Sequence, residues 1–319
     1  MQADSLKSLC GGPMTFMGVP FSHDLSGARA AILGLPFDCG IHAFRVGARS
    51  GPRAIREQSR LIRAYNPELA DYNPMQRLGL VDCGDVNLTP GMIGPAFERI
   101  EAAVGQLVQA NVVPITLGGD GSVSHPQLRA LARRYPDLAV IHLDSHTDTN
   151  PPTPESLHNA GTQFHYAATE KLVDTSATYH IGLRGTTTMP NGFARTRALG
   201  YDKLITMNDV MQRGMDDVLQ QLQAQLKGRP VYLCLDMDVF DPSCAPGVCA
   251  PSWGGFSARE GMAFLRGLDG LNIVAADINT VSPPHDVGGM TAFLAAALID
   301  EILVLLCKHG GLDAPAVSP

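Results

Sequence analysis

The chain has 319 residues, of which 45% are apolar, and its formal net charge is -7. A chain of this size and composition can bury a substantial core, and no fixed-period repeat or low-complexity linker divides it. Its acidic balance, without a long basic run, argues against a nucleic-acid partner, because phosphates require clustered positive charge.

Targeting and membrane segments are not predicted. The N-terminal residues lack the basic and apolar regions of a secretory signal. Asp300 and Glu301 interrupt the longest apolar run, which predicts a buried C-terminal helix and no membrane span. The seven cysteines are scattered without a CxxC pair, which is typical of free thiols in a reducing compartment. We therefore predict a cytoplasmic protein with no membrane partner.

Short apolar runs alternate with helix-like segments along the chain. Predicted strands lie at residues 28–37, 112–120, 138–146, 179–185, 231–242 and 271–279. Predicted helices lie at residues 51–62, 97–110, 125–135, 214–226, 257–268 and 292–306. This alternation predicts an α/β fold with a mostly parallel sheet and helices on both faces. We predict one domain over residues 25–319, preceded by an N-terminal arm over residues 1–24.

Polar side chains follow two of the predicted strands in patterns that suit a metal. Asp144, His146 and Asp148 alternate in HLDSHTD, and Asp236 and Asp238 alternate in CLDMDVFDP. Alternate residues of an extended segment point to one side, and the carboxyl ends of parallel strands meet at one edge. Converging carboxylates would repel one another unless a cation lay between them. One such motif alone is more typical of solvated strand ends, but two on separate strands, one containing His, favour a divalent metal such as Mn(II), Fe(II), Ni(II) or Zn(II).

These motifs also carry a family resemblance that covers nearly the whole length. The chain contains GLPFDCGIHAFRVGARSGPRAIREQS, LGGDGS, LDSHTDTN, HIGLRG, LDMDVFDPSCAPG and ADINTVSPPHD, in that order. It resembles agmatinases and guanidinobutyrases of the ureohydrolase (arginase/agmatinase) superfamily. The resemblance implies a three-layer α/β/α sandwich with an arginase-like fold and a paired divalent-metal site, with Mn or Ni. It also implies trimeric or hexameric assembly and hydrolysis of a guanidinium group, with release of urea or a related fragment.

The resemblance assigns metal-ligand roles to five residues. Asp144 and Asp236 match the two carboxylates that bridge the family's metal ions. His146 and Asp238 match the remaining ligands of one metal ion, and Asp148 matches a ligand of the other. One half of the metal site is therefore nominally complete by this comparison, and we expect this chain to hold one divalent ion or none.

Four positions depart from the family pattern. Gly121 of GGDGS occupies the position of the only imidazole ligand of the second metal ion, and Thr280 occupies that of the guanidinium-binding glutamate. A hydroxyl cannot offer the bidentate charged acceptor that a guanidinium matches. His158 is the candidate nearest to the proton-shuttle histidine of the HGT motif, but it lies two residues out of place. Ser252 aligns with an acidic residue of the family. All four departures therefore fall in the pocket, which indicates weaker selection for catalysis in this chain.

Two functions are consistent with this pattern. In the first, the chain is an accessory subunit that partners an active paralogue, as in the heteromeric metformin hydrolase, whose non-catalytic type of subunit it resembles. In the second, it is a divergent metal-dependent amidinohydrolase that acts by itself on a guanidino compound or biguanide. A kinase-like phosphate-binding turn at GGDGS is a weaker third interpretation. The first function is favoured, and Gly121→His is expected to raise metal occupancy without restoring hydrolysis.

Overall fold

The computed structural model describes residues 11–40, 42, 44–187 and 189–313. Within these residues, eight parallel strands form one sheet in the order β2-β1-β3-β8-β7-β4-β5-β6. The strands are β1 (Ala30–Gly34), β2 (Val81–Asp85), β3 (Val113–Leu117), β4 (Ala139–Leu143), β5 (Thr178–Leu183), β6 (Lys203–Thr206), β7 (Pro230–Asp236) and β8 (Asn272–Asn279). The α/β prediction with a parallel sheet is confirmed.

Ten α-helices lie among the described residues. They are α1 (Gly51–Ser59), α2 (Pro74–Leu78), α3 (Ile93–Gln109), α4 (Ser124–Ala132), α5 (Gln163–Thr169), α6 (Gly192–Ala198), α7 (Met207–Arg213), α8 (Met215–Leu226), α9 (Ala258–Arg266) and α10 (Met290–His309). Short 3-10 turns connect several of these elements.

Successive side chains of the buried strands enter two separate apolar cores. On β1, Ala30 and Ile32 belong to a core that also contains residues of α10, whereas Ala31 and Leu33 belong to one that contains residues of α3. Because strand side chains alternate between the two faces of a sheet, each face is covered by helices. The arrangement is therefore the three-layer α/β/α sandwich.

The parallel register brings the ends of four central strands together. His142 of β4 pairs with Cys234 of β7, and Asp236 at the end of β7 pairs with Asn279 at the end of β8. Leu117 at the end of β3 pairs with Ile278 of β8. The segments that follow β3, β4, β7 and β8 therefore leave the sheet side by side, and these segments carry the polar motifs.

The N-terminal segment packs on the sheet where the structure describes it. Residues 1–10 of the predicted arm lie outside the described residues. Phe16 is wholly buried, and its backbone N–H donates to Asp82 Oδ2 over 2.9 Å. Phe21 forms an isolated parallel bridge with Asp82 of β2. Residues 16–21 are thus attached to the edge strand of the sheet.

The long C-terminal helix α10 is part of the core. Among the described residues, it is the one helix long and apolar enough to cross a membrane, but 83% of its most apolar window is buried within the molecule. It packs against α1, α2 and α9. The interrupted apolar run therefore forms a buried helix, as the sequence predicted.

Asp300 on α10 is expected to destabilise the protein at neutral pH. Burial, and then the Glu301 carboxylate, raise the pKa of Asp300 from 3.8 to about 6, and its Oδ1 has no hydrogen-bond partner among the described residues. Between these two pH values the folded state holds a proton that the unfolded chain has lost, so stability falls as the pH rises from about 4 to 6. Asp300→Asn should remove this penalty and raise the free energy of unfolding at pH 7 by about 1–3 kcal/mol.

Urea denaturation of both proteins between pH 4 and pH 7 measures this effect. Asp202→Asn, which removes a carboxylate whose side chain is 60% exposed, is the matched control and should have little effect. Equal or lower stability of Asp300→Asn at pH 7 would show that the buried carboxylate carries no such cost.

Candidate metal centre

Three of the five sequence-predicted ligands form a tight cluster beyond β4 and β7. Each of Asp144, His146 and Asp238 offers a ligand atom within 4.8 Å of the others. His146 Nδ1 lies 3.2 Å from Asp144 Oδ1 and 3.1 Å from Asp238 Oδ2. Asp144 and Asp238 are buried, whereas His146 is partly exposed. This geometry follows from the adjacent ends of the two strands.

Asp236 ends β7 and is linked to this cluster by a hydrogen bond from the backbone of Asp238. Its Oδ1 accepts hydrogen bonds from the backbone N–H of Asp238 over 2.8 Å and from Thr280 Oγ1 over 2.5 Å. Asp238 is in turn held by Ser145, whose N–H and hydroxyl donate to Asp238 Oδ1 over 3.0 and 2.8 Å. These hydrogen bonds fix the orientation of both carboxylates towards the cavity that they line.

Burial and mutual repulsion make the bare cluster electrostatically costly. Burial, and then the Asp238 charge, raise the pKa of Asp144 to about 7. Burial and neighbouring carboxylates also raise the pKa of Asp236 and of Asp148 well above the ordinary range. Burial opposes ionisation of Asp238 as well, but the adjacent His146 outweighs it and lowers the pKa of Asp238. A divalent cation would relieve this repulsion.

The residues of this half-site fit one divalent ion. Asp144 Oδ2 is buried and receives no well-aligned hydrogen bond from the described residues. Three carboxylates and one imidazole form a donor set that suits a first-row transition metal such as Mn(II) or Ni(II). Asp144, His146, Asp236 and Asp238 would hold the ion.

The other half-site differs from the pattern that the family resemblance implies. Asp148 lies within 4.8 Å of Asp144 by its ligand atoms, but its Oδ2 accepts a short hydrogen bond from Gln163 Nε2. Gly121 offers no side-chain ligand, and the loop 156–161 passes close to it, with Ala160 O 2.8 Å from the place where a Cβ would lie. The second half-site therefore lacks an imidazole at position 121, although His142, Asp144 and Asp148 offer ligand atoms within 4.8 Å of one another.

His142 is a neighbouring group that the sequence analysis did not single out. Its Nε2 lies 2.9 Å from Asp144 Oδ2, and its Nδ1 lies 2.9 Å from Nδ1 of His180. Burial lowers the pKa of His142 to about 4, so the ring is neutral near pH 7. His142 precedes Asp144 by two residues, so the alternation in HLDSHTD, read one step earlier, could have identified it.

Thr280 lines the cavity at the position that resembles the family's guanidinium-binding glutamate. Its backbone φ is 64°, a left-handed conformation that is unfavourable for a β-branched residue. Its hydroxyl donates to Asp236 Oδ1 and accepts from the backbone N–H of Met237 over 3.2 Å. Both hydrogen bonds of the hydroxyl are therefore made to residues at the end of β7.

His158 lies outside the cavity, so the structure gives no geometrical support for the suggested proton-transfer role. Its ring packs against Phe97, His125 and Tyr166, with ring centroids 5.0, 5.7 and 4.7 Å away. The two-residue displacement seen in the sequence explains this, because Ala160 lines the cavity instead.

A cavity of about 810 Å³ connects the cluster with the surface. Its buried part is lined by Asp236, Asp238 and Thr280. Ser252, at the position that resembles the family's acidic residue, also lines the cavity, and its carbonyl accepts a hydrogen bond from Arg184 Nη2 over 2.8 Å. The lining extends outwards to large apolar side chains exposed to solvent, namely Phe44, Met211 and Trp253.

Comparison with known proteins agrees with this architecture. The family model described as "Arginase family" matches residues 28–305, which is most of the chain. The chain belongs to the arginase family.

Two relatives and one solved structure illustrate the similarity. Proclavaminate amidinohydrolase from Streptomyces clavuligerus is 36% identical over 291 residues, which cover 91% of each chain. Guanidinopropionase from Pseudomonas aeruginosa is 35% identical over 317 residues, which cover 98% of each chain. The solved structure of the Streptomyces clavuligerus amidinohydrolase superposes with a TM-score of 0.89 at 34% identity, covering 94% of this chain and 98% of that one. The expectation of an arginase-like fold is confirmed.

Proposed function

We propose that this chain is an accessory subunit of a guanidino- or biguanide-hydrolysing complex, with metformin hydrolase as the type of assembly. An active paralogous subunit would perform hydrolysis, and this chain would contribute assembly contacts in a trimer or hexamer. A divalent ion, Mn or Ni, would occupy the retained half-site. The cytoplasmic location stays a prediction from the sequence.

The observation that carries this proposal is the state of Thr280. A guanidinium group is bound best by a carboxylate that accepts two parallel N–H donors. Thr280 offers one hydroxyl, which already donates to Asp236 Oδ1. The pocket therefore lacks the charged acceptor at the position that the family resemblance assigns to guanidinium binding.

The retained ligands fit a role in stability or assembly. An ion held by Asp144, His146, Asp236 and Asp238 would supply Lewis-acid chemistry when bound. Asp236 ends β7 and Asp238 lies in the turn that follows it, while Asp144 and His146 follow β4, so ligation would tie the ends of two central strands together. Thr280 cannot position a guanidinium as the family's glutamate would, and Ala160 cannot transfer protons as the family's shuttle histidine would.

A second candidate function is hydrolysis by this chain alone. The cavity of about 810 Å³ that reaches the cluster favours it, because the volume accommodates a small ligand. The exposed apolar side chains near its mouth suit a substrate with an alkyl group better than a purely ionic one. Thr280 would then face a substrate other than a simple alkylguanidinium.

Reconstitution with the paralogue tests the accessory role. The candidate partner is a paralogue of the same family whose GGDHS and HGT motifs are intact, sought among the genomic neighbours; it is co-expressed with this chain, and the complex is purified through a tag on this chain. Urea release is then measured for each chain and for the complex, with agmatine, 4-guanidinobutyrate and metformin. We expect a stable complex whose activity exceeds that of either chain alone. Failure to associate, or equal activity of the partner alone, would contradict the accessory role.

A further inference from the structure

We propose that the side-chain amide of Gln163 takes the place of the second metal ion, so that this chain holds a single divalent cation. The second half-site would then lack more than the imidazole at position 121, because the neutral amide of Gln163 would also occupy it. This proposal concerns the same site as the proposed function. A measurement of metal content tests it independently of assembly and hydrolysis.

The contacts of Gln163 place its amide at the second half-site. Gln163 begins α5 and is 2% exposed. Its Nε2 donates a short hydrogen bond to Asp148 Oδ2, the carboxylate that resembles a ligand of the second ion. Its Oε1 is buried and has no hydrogen-bond partner among the described residues. An amide N–H satisfies an oxygen of Asp148 without adding a ligand for a cation through that nitrogen.

Gly121 is what makes room for this amide. A Cβ on Gly121 would lie 2.6 Å from Gln163 Nε2 and 3.4 Å from Asp148 Oδ2. A side chain at position 121 would thus project towards the same carboxylate that Gln163 now contacts. The glycine and the glutamine are therefore sterically matched: the space opened by one residue is filled by the other.

This match changes the expectation for Gly121→His. The new side chain would meet Gln163 Nε2 and also Ala160 O, which is 2.8 Å from the Cβ position. The imidazole could not reach the half-site while the amide stays in place. Gly121→His alone is therefore expected to leave metal content at one ion per chain, in contrast to the increase that the sequence alone suggested.

An isosteric substitution avoids the steric problem. Gln163→Glu keeps the size of the side chain but replaces the N–H donor by a carboxylate oxygen beside Asp148. Two neighbouring carboxylates, with a ligand oxygen of Asp144 within 4.8 Å of Asp148, repel one another unless a cation binds between them. Gln163→Met, which removes the donor without adding charge, is the matched control.

Metal content is measured by mass spectrometry after the full-length proteins are saturated with Mn(II) and desalted, and Tm is recorded with and without the metal. We expect one ion per chain for the wild type and for Gln163→Met, and two for Gln163→Glu, whose Tm should also rise more on adding Mn(II). Two ions in the wild type, or one ion in folded Gln163→Glu, would overturn the proposal. Loss of the single ion in Gln163→Met would also overturn it, because Gln163 would then be a ligand.

A double variant gives an independent test of the steric match. Gly121→His combined with Gln163→Ala removes the amide and supplies an imidazole. Ala160 O, 2.8 Å from the Cβ position, has to shift in both variants, so the comparison isolates the amide: the double variant should hold two ions and Gly121→His alone one. Two ions in Gly121→His alone would overturn the proposal, because the amide would then not block the half-site. One ion in the folded double variant would overturn it equally.

Discussion

Asp238→Asn is expected to weaken binding of Mn(II) at the retained half-site by more than about 100-fold, because replacing a residue that merely supports a ligand already costs 10–100-fold. Asp238 Oδ2 faces His146, while Oδ1 is held by Ser145. The asparagine oxygen can still accept both hydrogen bonds from Ser145, so the fold is retained while the charge that attracts the cation is lost. Titration calorimetry of the metal-free proteins with Mn(II) measures the change in Kd.

The neighbouring carboxylate of Asp241 supplies the control. It lies three residues further along the same segment, and it accepts hydrogen bonds from the backbone N–H groups of Ser243 and Gly254 over 3.0 and 2.8 Å. Asp241→Asn removes the same charge outside the ligand cluster and should change Kd by less than about 3-fold, since charges near the surface are strongly screened. An equal loss of affinity in both variants would mean that the half-site is not where Mn(II) binds.

Arg56→Met should lower the free energy of unfolding by about 3–5 kcal/mol, the cost of leaving a buried charge without its partner. Arg56 of α1 is 5% exposed and its Nε and Nη2 donate to the two oxygens of Asp82 over 2.8 and 2.9 Å. Its Nη1 contacts Asp85 Oδ1 over 2.5 Å. Asp82 is wholly buried, so its carboxylate would be stranded beneath the N-terminal segment. Urea denaturation measures the loss.

An exposed ion pair gives the matched comparison. Arg213 and Asp217 are four residues apart, with Nε and Oδ2 2.7 Å apart, and both side chains are more than one third exposed. Arg213→Met removes the same guanidinium and should cost no more than about 0.5 kcal/mol. If Arg56→Met cost as little as Arg213→Met, the buried network would not be holding α1 to β2.

The central strands could be predicted from the sequence, whereas the two edge strands could not. The strands at the middle of the sheet are buried on both faces, so their apolar runs are recognisable. At the edges lie β2 (VDCGD) and β6 (KLIT), which are short and mix polar with apolar residues. The five-to-seven-residue helices α2, α5, α6 and α7 were missed for a similar reason, because two turns give too little periodicity.

The candidate site was predictable where it follows a strand pattern. Asp144 and His146 follow β4, and Asp236 ends β7 with Asp238 in the turn after it, so the adjacent ends of these parallel strands bring them together. Gln163 has no such pattern, since it reaches Asp148 through the fold from the start of a separate helix. A neutral amide at a helix start gives no signal of a role beside a metal site. Its proximity to the site is seen only in the structure, where its amide fills the space beside Gly121.

Urea release by the pure, Mn(II)- or Ni(II)-saturated chain alone is the most direct test of the claim that this arginase-family chain has a catalytically impaired site. Agmatine, 4-guanidinobutyrate and metformin are the substrates, Asp236→Ala is assayed beside the wild type, and an active guanidinobutyrase is the positive control. We predict that the wild type releases no more urea than Asp236→Ala. Thr280 and Ala160 stand where the family resemblance places the groups that position guanidinium and transfer protons, and proton transfer alone contributes about 10²–10⁴-fold. Turnover by the wild type that Asp236→Ala abolishes would contradict the claim and establish the chain as a hydrolase in its own right.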